Sequence, residues 1–463
     1  MSVETIEISL QQQFEEAIGT GNKETIRTFL DDQNITDVVN LIYDNSEYEC
    51  QIITDLSIHR AASVFKILDI SEQKRIIKNL PSYKAAELLN ELPADDRTDF
   101  LEELPSNAVR DLIKTLDPEE RKITLALLGY PENSVGRLMT PDYIYVYEYN
   151  TVAEVLDTIR LVGKNSETID VIYVINEKGE LLDDIRIREF ILATPNKKVN
   201  ELMDNRVVSL HVEDDQEIAG EVFRMNNRVA LPVVSKSNKL LGIVTIDDIL
   251  WVAQEEYTED IQKIGGTEAL DEPYLDISIF KLIKKRAGWL VILFIGEMLT
   301  ATAMQFFQHE IDKATVLAMF IPLIMSSGGN SGSQASTLII QAMALKEVSI
   351  ADWWRVMRRE LISGFILGII LGTIGLIRIV TWQQLHIYDY GIYWKLVSAT
   401  IFFSLIGIVL WGSLMGSMLP IFLKKLKLDP AASSAPFVAT LVDVTGIIIY
   451  FSMAYFFLSG RLL

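Results

Sequence analysis

Cysteine is nearly absent: the 463 residues contain one, Cys50. No disulfide can form within the chain, and a single thiol suits a reducing compartment. Histidine is scarce too. His59, His211, His309 and His386 are the only four, and none falls in the middle of a long apolar stretch, so imidazole or thiolate metal chemistry is not expected there. The opening segment, MSVETIEISLQQQFEEA, is acidic and has no long apolar core, so no secretory leader is expected in it. Entry into a membrane has to come from later segments.

Positive charge is in short supply before residue 284. Residues 284–463 hold 14 Lys and Arg against 9 Asp and Glu, so the chain's net charge of −21 leaves −26 on residues 1–283. A front half this acidic repels nucleic acid and anionic lipid headgroups. It suits solubility or cationic partners, and no nucleic-acid partner is expected.

Long apolar runs are confined to the back half. Stretches at about 288–307, 314–344, 361–382, 396–422 and 434–458 are each long enough to span roughly 30 Å of hydrocarbon. The second is too long for one straight span, and serine, glycine and asparagine over 326–333 interrupt it. Five spans put the two ends of the chain on opposite sides. Lys281, Lys284, Lys285, Arg286, Lys346, Arg355, Arg358, Arg359, Lys424, Lys425 and Lys427 flank one set of span ends, while the other set has Lys313, Arg378, Lys395 and Arg461. The basic side is the cytoplasmic one. The expectation is therefore a multi-pass protein of the cell (inner) membrane, with its N-terminal half in the cytoplasm and its C-terminus outside.

Asp443 lies in the middle of the last run, PFVATLVDVTG at 436–446. A carboxylate at that depth costs on the order of 3 kcal/mol or more unless something offsets it. One offset is a protonated Asp bonded to a neighbouring helix; the favoured one is an ion site. Ala439, one turn earlier on the same face, has a carbonyl that can point at the same ion if the helix loosens. Non-helical backbone at membrane depth survives only when buried or lining a watery cavity, so the run GGNSGSQ at 328–334 reads either as a pore-lining break or as a small-residue packing face. Asn330 and Ser333 would add neutral oxygen ligands. One carboxylate among amide, hydroxyl and carbonyl oxygens is a hard-cation environment. Magnesium dehydrates reluctantly, so few charges suffice for a hydrated ion. Glu297, in the first run, is either a second ion ligand or a partner for another polar group.

The front half divides in two. Over 51–130, Leu-Pro or Asp-Pro steps at Pro81, Pro93, Pro105 and Pro118 recur every twelve residues or so, which predicts a stack of short helices. Asp95 and Asp99 share a helical face, either as acids favoured at a helix start or as cation ligands. Over 138–258 a helix, strand, strand, helix pattern occurs twice, with VIYVI at 171–175 and LPVV at 231–234 as strands.

These paired units resemble tandem cystathionine-β-synthase (CBS) domains. The second carries that family's glycine, hydroxyl and acid at Gly242, Thr245 and Asp248, which the resemblance assigns to an adenine nucleotide such as ATP. The first departs, with Asp183 and Asp184 where the glycine and hydroxyl are expected. The whole chain is similar to the MgtE family of magnesium channels and transporters, most specifically through GGNSGSQ and PFVATLVDVTG. The resemblance implies a multidomain chain: an all-α helical-repeat N domain (1–135), an α/β CBS-domain pair (136–254), a connecting helix (255–285) and an all-α five-helix transmembrane domain (286–463). It implies no enzyme but a homodimer in the lipid bilayer, with a pore on the dimer axis and Asp443 and the Ala439 carbonyl as its selectivity site. It also implies that cytosolic Mg2+ binds acidic faces and holds the pore closed; the matching positions are Asp95, Asp99, Asp248, Glu256 and Glu259. Trp251 and Asn227 stand where some members have Asp. The alternatives are transport of another divalent cation such as cobalt, or a membrane-anchored ion or nucleotide sensor. A sensor has no need of both Asp443 and a glycine-broken span.

Overall fold

The computed structural model describes residues 9–462, apart from 271 and 276. It divides into two compact units, 1–256 and 257–463.

The first unit opens with short helices. Pro81, Pro93 and Pro105 stand at the N-caps of Ser82–Glu91, Ala94–Glu102 and Ser106–Ile113, and Pro118 opens Pro118–Leu127. Proline forces the residue before it out of the helical region, so Leu80 and Leu92 are extended, with ψ of 146° and 141°. Both leucines are buried and join a core that includes Leu30, Ile42, Phe65, Leu89 and Phe100. Each Leu-Pro step thus ends one helix, plugs the core and starts the next. Arg97 is fully buried because everything its guanidinium needs is there. It donates to the carbonyls of Leu89 (3.2 Å) and Leu92 (3.1 Å) and to Thr124 Oγ1 (2.9 Å), and it pairs with Glu120.

Two three-stranded sheets follow, built alike. In the first, β1 (Tyr145–Tyr147) runs parallel to β2 (Val171–Ile175), which is antiparallel to β3 (Leu181–Arg186). In the second, β4 (Leu210–His211), β5 (Ala230–Val234) and β6 (Leu240–Thr245) repeat that order and those directions. A register shift falls at the end of both central strands, at Val174/Ile175 and Val233/Val234. Gly179 and Asn238 turn the two hairpins at φ of +78° and +57°, where glycine and asparagine are the least strained residues. The sheets share a core of Val171, Tyr173, Ile175 and Leu181 with Ala230, Val234, Leu240 and Ile243. Reciprocal bonds tie the hairpin tips, Leu181 N–H to the Asn238 carbonyl (2.9 Å) and Leu240 N–H to the Gly179 carbonyl (3.0 Å). Asn227 caps the Gln216–Asn226 helix in the left-handed region, a position asparagine tolerates better than most residues. Trp251 is exposed.

The second unit is helical. Its five long helices are Ile279–Phe306, Ile321–Ala344, Trp353–Gln384, Trp394–Lys425 and Ala435–Leu458, here called the first to fifth. Among the described residues four helices, Ile279–Phe306, Ile350–Gln384, Trp394–Lys425 and Ala435–Leu458, are long and apolar enough to cross a membrane. Ile321–Ala344 is not one of these four, and its middle is made of glycine, serine and asparagine. The expected break at 326–333 is absent, because the second helix runs unbroken through these residues. The over-long apolar stretch divides earlier, where Gln308–Lys313 and Thr315–Ala318 are separate short helices and Phe320 precedes the second long helix.

Packing explains the small residues. A Cβ on Gly412 of the fourth helix would lie 2.4 Å from the Gly328 carbonyl oxygen, and one on Gly416 would lie 2.0 Å from that of Gly332. The two backbones touch, as small residues allow between membrane helices. Ser331 Oγ shares a 2.9 Å bond with Ser413 Oγ, and Ser336 Oγ donates to the Ser433 carbonyl at 2.8 Å. The third helix lays Gly364, Gly368 and Gly372 on the fourth in the same way.

Candidate functional site

Asp443 sits near the middle of the fifth helix and is half-buried. Among the described residues no hydrogen bond or ion pair engages its carboxylate. Gly329 of the second helix gives it room: a Cβ there would lie 3.3 Å from Ala439 Cβ and 3.8 Å from Asp443 Oδ1. Gly296 of the first helix lies against Thr440, where a Cβ would meet Thr440 Cγ2 at 2.6 Å. Glu297, the next residue, is exposed on that helix. Asp443 and Ala439 therefore lie on a face bordered by the first and second helices, with two glycines letting the backbones close in.

The neighbouring polar groups divide into occupied and open. Ser333 Oγ donates to the Ala435 carbonyl at 2.9 Å and so ties the second helix to the start of the fifth. Thr440 and Thr445 return their hydroxyls to carbonyls of their own helix. Trp411 Nε1 donates to Thr445 Oγ1 at 2.8 Å, a contact the sequence reading missed. Asn330 is exposed and holds one amide hydrogen on Ser326 Oγ at 3.3 Å, leaving its carbonyl oxygen open. The Ala435–Leu458 helix is continuous through Ala439, so the loosening that would free the Ala439 carbonyl is absent here.

The first unit holds the second group of acids. Asp95, Asp96 and Asp99 lie on the Ala94–Glu102 helix. Asp95 is 7% exposed, and its Oδ1 is buried with no hydrogen-bond partner. Burial pushes its carboxyl well above the carboxylate range, and the charge of Asp248 adds to that more than any other. Asp248 opens the Ile246–Ile264 helix, and its Oδ2 accepts from Thr245 Oγ1 at 2.7 Å. Burial pushes it up to about 7, against the Thr245 hydrogen bonds and with the help of Asp247 and Asp96. Asp99 lies on the exposed side of the Ala94–Glu102 helix, where crowding by the surrounding protein and the charges of Glu255 and Glu103 raise its carboxyl. Glu167 is raised by burial, with Asp96 and Asp247 adding to it. Lys66, bonded to Asp96 at 3.1 Å, is a cation in this group. Asp96, Lys66, Asp247 and Glu167 are members the sequence reading did not find. Among the described residues no three acids, histidines or cysteines converge closely enough to ligate one metal ion directly. Glu256 accepts from Gln216 Nε2 at 2.8 Å, and Glu259, in the second unit, pairs with Lys263.

Gly242 has a packing role. A Cβ there would lie 2.7 Å from the Thr140 carbonyl oxygen and 3.0 Å from Met139 Sδ, which would disturb the Thr140–Ile243 bridge. In the first CBS unit Asp184 pairs with Arg228 at 2.7 Å.

These acids predict a pH effect. Asp248 has a folded value of about 7 against an ordinary 3.8, so the folded unit holds a proton that the unfolded chain has released. The stability involved is complete below about pH 4 and is lost as pH rises through about 7. Without divalent cations, residues 94–103 should exchange amide hydrogens faster at pH 8 than at pH 6, after correction for intrinsic rates. No difference between the two would contradict the buried acidic group.

Comparison with known proteins agrees with this layout. Residues 321–453 match the MgtE model, described as a divalent cation transporter, residues 33–133 match the MgtE intracellular N domain, and 135–194 and 199–255 match the CBS domain. The chain is 40% identical to the "Magnesium transporter MgtE" of Thermus thermophilus over 73% of each chain. It is 29% identical to the protein of that name from Bacillus subtilis over 74% of each. Among solved structures, the cytosolic domain of the Mg2+ channel MgtE in complex with ATP is 35% identical, with a TM-score of 0.50 over 52% of this chain and 98% of that one. The soluble part of a magnesium transporter gives 26% identity and a TM-score of 0.51 over 54% and 99%. Taken with the helical repeats, the paired sheets and the glycine-packed helices around Asp443, the 40% identity over 73% of the relative means that the chain belongs to the MgtE family.

Proposed function

We propose that this chain carries Mg2+ across the cell membrane into the cytoplasm, down its electrochemical gradient, and that Asp443 is the charged ligand on the path. The observation carrying this is an unpartnered carboxylate, half-exposed, nine residues into an apolar helix of 24. A position that costly is retained where it meets an ion. Mg2+ keeps several of its waters, so Asp443 and the open oxygen of Asn330 act on a hydrated ion by charge and hydrogen bonding. Glu297, exposed on the first helix, adds a second carboxylate at the rim.

All five long helices span the membrane in this reading. The second is the least apolar, and the fourth and fifth helices cover its polar middle. The first helix is exposed along most of its length, which supports a homodimer in which a second copy closes the path and doubles the charge of Asp443. In this reading residues 1–256 lie in the cytoplasm and the C-terminus outside, which the basic residues at one set of span ends support.

The acids around Asp95, Asp99 and Asp248 form the sensor. Asp95 Oδ1, buried without a partner, is a site that a cation or a proton relieves. Cytosolic Mg2+ bound there through its waters favours the packed state by its higher affinity for it, and the Ile246–Ile264 helix, with Glu256 and Glu259, carries that state toward the second unit. A relative's cytosolic domain binds ATP. Here Asp248 keeps Oδ1 outside its Thr245 bonds and can accept a ribose hydroxyl, whereas Gly242 is committed to packing.

The test is Mg2+ uptake into liposomes holding the full chain, with Mg2+ inside varied. Uptake should be rapid at zero internal Mg2+ and fall on the order of tenfold at saturating internal Mg2+. Absence of flux under both conditions would sink the transport reading; flux insensitive to internal Mg2+ would sink the sensor.

A further inference from the structure

The Ile246–Ile264 helix ends in a glycine-capped turn. Gly265 N–H bonds to the Ile261 carbonyl (3.0 Å) and Gly266 N–H to that of Lys263 (2.9 Å), with Gly266 at φ +75°. A Cβ on Gly266 would lie 2.8 Å from the Trp289 indole and 3.3 Å from Pro436. The turn is thus seated on the first helix and on the first turn of the fifth. Trp289 Nε1 donates to Ser434 Oγ at 3.1 Å. Ser434 is the N-cap of the fifth helix, and its Oγ also accepts from Phe437 N–H. Lys263 Nζ meets Asp429 Oδ2 at 2.7 Å, while Asp429 Oδ1 accepts from Ala431 N–H at 2.8 Å in the 3₁₀ turn leading to that cap.

We propose that Lys263 and Trp289 are positioning residues that clamp the end of the connecting helix to the cap of the fifth helix, and through it set the position of Asp443. Asp443 lies nine residues beyond Ser434 in an unbroken helix, about 13 Å along the axis. A displacement of the clamp therefore reaches Asp443 as a movement of one rigid element. The ion pair is releasable, because the side chains of Lys263 and Asp429 are 31% and 39% exposed and water screens them. The inference rests on the reading of this helix as the carrier of the sensor's state.

The test uses the full chain in liposomes and two readouts. Lys263→Met removes the ion pair; Trp289→Phe keeps an aromatic ring and loses both the N–H donor and the five-membered ring beside Gly266. Each should raise amide exchange over 435–440 and shift the internal Mg2+ concentration for half-inhibition about fivefold, with external half-saturation unchanged. Lys263→Arg keeps the cation and leaves Asp429 in place to accept from Ala431 N–H, and should stay close to wild type in both readouts. Unchanged exchange in Lys263→Met and Trp289→Phe, or a Lys263→Arg no better than Lys263→Met, would overturn the clamp. Raised exchange in those two variants and near-wild-type exchange in Lys263→Arg, in a protein whose wild type ignores internal Mg2+, would keep the clamp and sink the sensor.

Discussion

Replacing Asp443 by alanine should lower Mg2+ flux about 100-fold or more and leave the fold intact. The flux loss follows from charge: the site has one carboxylate per chain on its helix, and apart from Glu297 at the rim the oxygens left behind are neutral dipoles that attract a divalent ion far less. The intact fold follows from geometry. Among the described residues no hydrogen bond depends on the Asp443 carboxylate, and Gly329 leaves room beside it rather than packing onto it. Removing a carboxylate that costs on the order of 3 kcal/mol at this depth should even raise the melting temperature in detergent. Asp443→Glu keeps the charge and displaces it by one methylene, so it should retain part of the flux. Uptake by Asp443→Ala within twofold of wild type would refute the role.

The second large effect is structural. Gly416→Ala adds a Cβ 2.0 Å from the Gly332 carbonyl oxygen and 2.8 Å from its carbon. The obstacle is backbone inside a continuous helix, which has no rotamer to change. Overpacking in a tight core costs roughly 1–3 kcal/mol, occasionally more, and a contact this short belongs at or above the top of that range. The variant should be recovered poorly after detergent extraction and melt well below wild type. Gly446→Ala is the control: its Cβ would sit 3.7 Å from Ile408 Cγ2, an ordinary contact, and it should behave like wild type. Equal melting temperatures for the two variants would contradict the close approach of the second and fourth helices.

The features legible in the sequence are those written in local patterns. The Leu-Pro steps mark the short helices because proline acts on its immediate neighbour. The duplicated sheets follow from two β-branched runs and their turns. Asp443 stands out because one charge among apolar residues is costly wherever the helix packs. The glycines at 328 and 332 are ambiguous in the sequence for a physical reason. A glycine that loosens a helix and one that lets another backbone approach look the same in one dimension, and only the opposing Gly412 and Gly416 decide between them. Ser333 shows the same ambiguity: the sequence offers its hydroxyl to an ion, while the Ala435 carbonyl that takes its hydrogen lies 102 residues away. The acidic group was half visible. Asp95, Asp99 and Asp248 follow from the family resemblance, but Lys66, Glu167 and Asp247 join them through tertiary packing alone. Trp289 and Ser434, 145 residues apart, leave no trace in the sequence.

The reciprocal bonds between the hairpin tips, with the shared core beneath them, bear on how such a chain can change over generations. Deleting either sheet would strip cover from Tyr173 and Ile175, or from Val234 and Ile243, and leave a tip carbonyl and a tip N–H in the survivor without their mates. The repeated unit is thereby indivisible. Each half now completes the other's interior, so ancestry can remodel the two copies separately but cannot discard one.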